Sequence, residues 1–132
     1  MGLATAKLLA SRGAFISLAD INTEALDEAI KLLERSEEHL ISTVDVRDGS
    51  AVGAWIDNTV KKYGKLDGAV NMAGIITHAS PLVDTTDEAW RRTFDINVQG
   101  VFNCLRAQIK AMGKGGSIVS DRFGRTKGRH QN

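Results

Sequence analysis

Apolar positions along the chain alternate between helical spacing and short continuous runs. Leu3, Ala6, Leu9 and Ala10 recur three and four apart, predicting a helix over Met1 to Arg12 closed by Gly13. Ala14 to Ala19 is a short apolar run ending at Asp20, a strand. Ala25, Leu26, Ala29, Ile30 and Leu33 mark a second helix to about Glu34, with Asn22 or Thr23 as its cap. His39 to Val44 reads as a strand ending at Asp45. Ser50 is placed to cap a helix over Ala51 to Tyr63, with Val52, Trp55, Ile56 and Val60 inward and Gly64 as its stop. Leu66 to Val70 is a further strand, running into Asn71-Met72-Ala73-Gly74.

The longest helical pattern follows a loop over Ile75 to Asp84. Thr85 and Glu88 have the spacing of a capping box, in which each side chain serves the other's backbone amide. Phe94, Val98, Val101, Leu105 and Ile109, spaced three or four apart, then predict one helix from about Glu88 to Met112, ended by Gly113. Ser117 to Ser120 is a last strand, and Asp121 to Asn132 form an irregular basic tail. Strand and helix alternate with short connections throughout, which specifies an α/β fold with a parallel sheet covered on both faces.

Composition adds little beyond this pattern. The chain has 132 residues, enough for one modest domain, with 42% apolar and 25% charged residues. A net charge of +1 carries no nucleic-acid footprint, and no apolar run reaches the roughly 20 residues of a membrane span. Cys104 is the one cysteine, so no internal disulfide is available, which suits a reducing, cytoplasmic setting. His78 has no partner set for a metal and reads as a solvated loop residue. The tail carries Arg122, Arg125, Lys127 and Arg129 without interleaved aromatics, the mark of a solvated end.

Four short motifs carry the chemistry. Asn71-x-Ala73-Gly74 follows a strand, where small residues allow another group close to the backbone. Asp20 ends a strand eighteen residues after Gly2. Asp45-Val46 ends the next strand, and Asn97-x-x-Gly100 lies within the long helical pattern, where Asn is a poor helix former. Together these resemble the short-chain dehydrogenase/reductase family. The first matches its Asn-Asn-Ala-Gly motif, with Met72 at the second position, and Gly2-Leu3 match the last glycine of its glycine turn and the helix that follows.

The resemblance implies a doubly wound, Rossmann-like sheet and an alcohol/ketone hydride transfer using NAD. Asp20 would accept hydrogen bonds from the adenosine ribose and repel the extra phosphate of NADP. Asp45 would accept from the adenine amino group, the Val46 amide would serve a ring nitrogen, and Asn71, Ala73 and Gly74 would lie against the cofactor. Asn97 would help hold a water on the proton path. A small alcohol or ketone is then the substrate, and family members are often homo-oligomers.

The pattern also breaks. The family's first strand and earlier glycines have no counterpart, nor does anything after the fifth strand. Residues 1–120 thus match an incomplete dinucleotide-binding domain, with 121–132 as the tail. Catalysis in the family needs a Ser, a Tyr and a Lys four residues on, which lowers the Tyr pKa. Tyr63 is the one tyrosine, and Asp67 stands four positions later. The position matching the Ser is Phe123. Two readings follow: an oxidoreductase whose chain is short at both ends and inactive alone, or a non-catalytic nucleotide- or protein-binding remnant.

Overall fold

The computed structural model describes residues 1–76 and 81–121. His78, Phe123 and the basic tail lie outside the described residues. The elements run α1 (Gly2–Ser11), β1 (Ser17–Asp20), α2 (Thr23–Lys31), a 3₁₀ turn (Ser36–Glu38), β2 (Leu40–Thr43), α3 (Gly49–Tyr63) and β3 (Gly68–Asn71). A second 3₁₀ turn (Leu82–Asp84), α4 (Asp87–Phe94), a π-helical turn (Asp95–Gly100), α5 (Val101–Ala111) and β4 (Ser117–Ser120) complete them. No helix among the described residues is long and apolar enough to cross a membrane.

The strands form two parallel pairs. β1 lies beside β2 in register Ser17–Leu40 to Asp20–Thr43, and β3 beside β4 in register Gly68–Ser117 to Asn71–Ser120. Among the described residues β1 and β3 are each paired on one side only. Among the described residues, two separate clusters hold most of the buried apolar side chains. Ala6, Ala10 and Leu33 pack with Ile16 and Leu18, while Val44, Val52 and Cys104 pack with Ala19, Val46, Trp55 and Ala107.

Polar groups under the first strand pair are knitted into networks. Trp55 Nε1 donates to Ser17 Oγ at 2.8 Å, and Ser17 lies 2.8 Å from Thr59 Oγ1, whose hydroxyl bonds the Trp55 carbonyl. The buried His39 ring accepts from the Ile16 amide at 3.2 Å, and its other nitrogen contacts the Glu34 carbonyl at 2.9 Å.

Three local readings are corrected. The cap of α3 is Asp48, whose carboxylate accepts from the Ser50 and Ala51 amides, while Ser50 donates its own hydroxyl to that carboxylate. The cap of α4 is Thr86, bonded to the Ala89 amide, in place of Thr85. The long helix is interrupted by the π-helical turn, and much of its spaced apolar row is exposed: Phe94 is 43% exposed, Val98 54% and Ile109 64%. The buried face of α5 holds Asn103, Cys104 and Gln108. Wider winding through Asp95–Gly100 sets the angular position of the residues after it; Phe94 precedes the turn and is exposed without it.

Candidate cofactor site

Parallel pairing brings strand ends of like sense together, and the singled-out residues gather at the C-terminal ends. Asp20 closes β1, and its carbonyl accepts from the Val44 amide at 2.9 Å, one residue before Asp45. The Asp20 carboxylate is exposed. Its Oδ1 accepts from the Asn22 amide at 3.0 Å, and Oδ2 makes no hydrogen bond among the described residues. One oxygen therefore fixes the carboxylate and the other remains an acceptor, the state required to take a ribose hydroxyl.

Asp45 is differently placed. Arg47 Nε donates to Oδ1 at 3.0 Å and to Oδ2 at 2.9 Å, and the Arg47 amide adds a bond to Oδ1 at 3.0 Å. These bonds from Arg47 hold the Asp45 carboxyl below the usual carboxylate range. Any base that bonds Asp45 must share it with this guanidinium. The pattern gave no sign of Arg47, because a residue two positions on reads as an ordinary turn charge.

Val46 is held from the other side. Asn103 Nδ2 donates to the Val46 carbonyl at 3.0 Å and to the Arg47 carbonyl at 3.1 Å. The Val46 side chain rests on the backbone of Gly100, so the Asp45-Val46 and Asn97-x-x-Gly100 motifs meet through that contact.

Asn71 ends β3 with its side chain buried. Its Nδ2 donates to Gln108 Oε1 at 2.9 Å and to Ser120 Oγ at 3.2 Å, and its Oδ1 accepts from Gln108 Nε2 at 2.7 Å. Met72, Ala73 and Gly74 follow. Asn97, in the π-helical turn, clasps the next residue, with Oδ1 accepting from the Ile75 amide at 2.9 Å and Nδ2 donating to the Ile75 carbonyl at 2.8 Å. Gly2, at the start of α1, lies against Met72: a Cβ on it would stand 3.7 Å from Met72 Cβ and Cγ. The first turn of α1 holds no acidic residue, leaving its positive end unopposed. Leu3 is on the same turn and 39% exposed.

The structure thus joins Gly2 to Met72, Asn71 through Ile75 to Asn97, Gly100 to Val46, and Asp45 to the strand beside Asp20. A helix start, a free acidic acceptor and a small-residue turn fit a dinucleotide. Tyr63 does not join them. Its hydroxyl donates to the Glu38 carbonyl at 2.8 Å, and burial pushes its pKa up, away from what a general base near neutral pH requires. Gln108 and Asn103 were not found from sequence, since buried amides on a helix carry no periodic signal.

Residues 1–125 match a family profile described as "Enoyl-(Acyl carrier protein) reductase". Short-chain dehydrogenase/reductase aba4 of Botryotinia fuckeliana is 43% identical over 126 residues, covering 91% of this chain and 48% of that protein. Chanoclavine-I dehydrogenase ifgE of Penicillium roqueforti is 36% identical over 121 residues, 85% of this chain and 46% of that one. The chain thus spans about half the length of the curated relatives it matches. Among solved structures, NAD+-bound xylitol dehydrogenase superposes with a TM-score of 0.86 at 35% identity, over 90% of this chain and 47% of the other. ElxO with NADP bound gives 0.79 at 26%, over 89% of this chain and 48% of the other.

Proposed function

The chain belongs to the short-chain dehydrogenase/reductase family and has its Rossmann-like parallel architecture, and from that premise we propose that it is the cofactor-binding part of an oxidoreductase that moves a hydride between an alcohol or ketone and NAD. One observation supports this reading above the others: Asp20 presents a fixed carboxylate with one oxygen free at the end of β1. When bound, the nicotinamide would accept or release the hydride. The residues here would do other work. Asp20 would orient the adenosine ribose and disfavour the additional phosphate of NADP. Asp45, shared with Arg47, and the Val46 amide would meet the adenine. Ala73 and Gly74 would allow close approach of the cofactor, with α1 facing its phosphates from Gly2 and Leu3. Asn97 would hold the turn through Ile75 and stand on the proton path.

Proton transfer to the substrate oxygen needs a Tyr–Lys pair, and Tyr63 does not supply one. These 132 residues alone are therefore read as binding cofactor without turnover. Exposed apolar side chains at Trp90, Phe94, Val98 and Phe102 support self-association as a further part of the reading. Calorimetric titration of this chain with NAD and with NADP tests the proposal. Saturable binding with NAD favoured is expected. Absence of NAD binding under conditions where the chain is folded overturns it.

A further inference from the structure

We propose that Gln108 is the positioning residue for the Asn71–Gly74 turn, an assignment that rests on reading that turn as a wall of the cofactor site. Gln108 is 1% exposed, and it and Val52 are the largest side chains so completely enclosed among the described residues. A primary amide in such surroundings is costly unless paired. Its partner is Asn71, thirty-seven residues earlier, through two reciprocal hydrogen bonds of 2.9 and 2.7 Å. The second Asn71 N–H goes to Ser120 Oγ at 3.2 Å, and the Asn71 carbonyl accepts from the Asp121 amide at 3.0 Å.

Both N–H groups of the Asn71 side chain are spent inside the protein, so it offers a cofactor no donor. It acts as an anchor, and contact with cofactor falls to the Met72, Ala73 and Gly74 backbone that leaves it. Apolar pairs of similar shape fill such positions at little cost in stability. What the amide pair adds is direction. Two antiparallel hydrogen bonds fix the rotation of the Asn71 side chain and tie the end of β3 to α5, while Ser120 ties it to the end of β4. Gln108 thereby sets the exit angle of the turn without touching ligand.

The test compares Gln108→Met, of similar length but without donors, with Gln108→Glu. A protonated carboxyl reproduces both hydrogen bonds of the amide, one given and one received, whereas a carboxylate loses the donor and faces Asn71 Oδ1. Burial raises the pKa of such a carboxyl, bringing the change into an accessible range. Amide hydrogen exchange is read at Asn71 and Ile75, with β1 and β2 as internal reference, alongside the Kd for NAD. In Gln108→Met, exchange at Asn71 and Ile75 should rise about tenfold and NAD should bind about tenfold more weakly, with β1 and β2 unchanged. Gln108→Glu should match the unmodified chain at about pH 5.5 and resemble Gln108→Met at about pH 8. Unchanged exchange and Kd in Gln108→Met overturn the assignment. Should that variant not fold, Gln108→Glu decides, and an exchange rate whose ratio to that of the unmodified chain is the same at both pH values overturns it. If the unmodified chain binds no NAD, the functional reading fails, and the exchange data still decide the role of Gln108.

Discussion

Val46 occupies the space that a side chain on residue 100 would need: a Cβ built on Gly100 stands 2.5 Å from Val46 Cγ2 and 3.1 Å from Val46 Cβ. Contacts that short do not persist, so the two elements approach this closely because residue 100 is glycine. Gly100→Ala should destabilise the chain by about 1–3 kcal/mol through overpacking. Adding Val46→Ala should recover part of that loss. Denaturant unfolding of both single variants and the double variant checks the coupling. Additive losses would mean that the two residues do not share the space.

The glycine was visible in the sequence as part of a motif, but its reason was not. Strand ends were legible, because Asp20, Asp45 and Asn71 each follow a short apolar run and precede a helix signal. Parallel pairing then brought Asp20 beside the end of β2 and Asn71 beside Ser120 of β4. What escaped depended on contacts far apart in the chain. Asn71 and Gln108 are each unremarkable, and their pairing appears only when β3 and α5 are packed. Asp48 escaped for a local reason: Asp and Ser two positions apart both suit a cap, and only geometry shows that the carboxylate takes the amides.

Asn97 should matter to stability through Ile75 as much as to any proton path. Asn97→Asp keeps the acceptor for the Ile75 amide but sets a carboxylate against the Ile75 carbonyl. Losing that bond and creating this opposition should cost about 1–3 kcal/mol. Thermal and denaturant unfolding measure it. Wild-type stability in Asn97→Asp would remove the clasp from the account.

Asp20→Arg should reverse cofactor preference. The carboxylate that accepts from ribose becomes a cation suited to the additional phosphate of NADP. NAD affinity should fall and NADP affinity rise, each about tenfold, equivalent to about 1.4 kcal/mol. Titration of Asp20→Arg and of the unmodified chain with both cofactors gives the result directly. Unaltered preference would show that Asp20 does not face the ribose.

Asp45 gives a pH dependence whose sign is fixed by Arg47. Hydrogen bonding to Arg47 lowers the carboxyl pKa in the folded chain relative to the unfolded one. The resulting stability is therefore present above the ordinary carboxylate pKa of about 4 and disappears as pH falls through the folded value. Arg47→Ala should raise the Asp45 pKa and lower stability at neutral pH. The difference between the two proteins should close in acid. Carboxylate carbon shifts followed by NMR, with unfolding midpoints over the same pH series, check both parts.

The one-sided pairing of β1 and β3 predicts association at high concentration. Val70 on β3 is 40% exposed, and the backbone groups on the unpaired side of each strand invite another strand. Val70→Lys should reduce association without unfolding the chain, since edge lysines oppose strand addition. Light scattering over a concentration series, with circular dichroism as the fold control, measures this. Equal scattering from both proteins would point to another surface, with Trp90 and Phe94 the next to alter.

The π-helical turn acts as a phase setting between two helices. In an α-helix each residue advances the side chain by about 100°, so one residue more or fewer within 95–100 is equivalent to twisting α5 about its own axis by that angle. Asn103 and Gln108 would then swing away from the Val46 carbonyl and from Asn71, while Phe94, which precedes the turn, would keep its place. The wider winding of Asp95–Gly100 therefore sets which side chains of α5 reach β3 and the Asp45–Arg47 turn. Deleting a single residue there is a reading-frame change in three dimensions: it leaves every later side chain intact and gives each one a different neighbour.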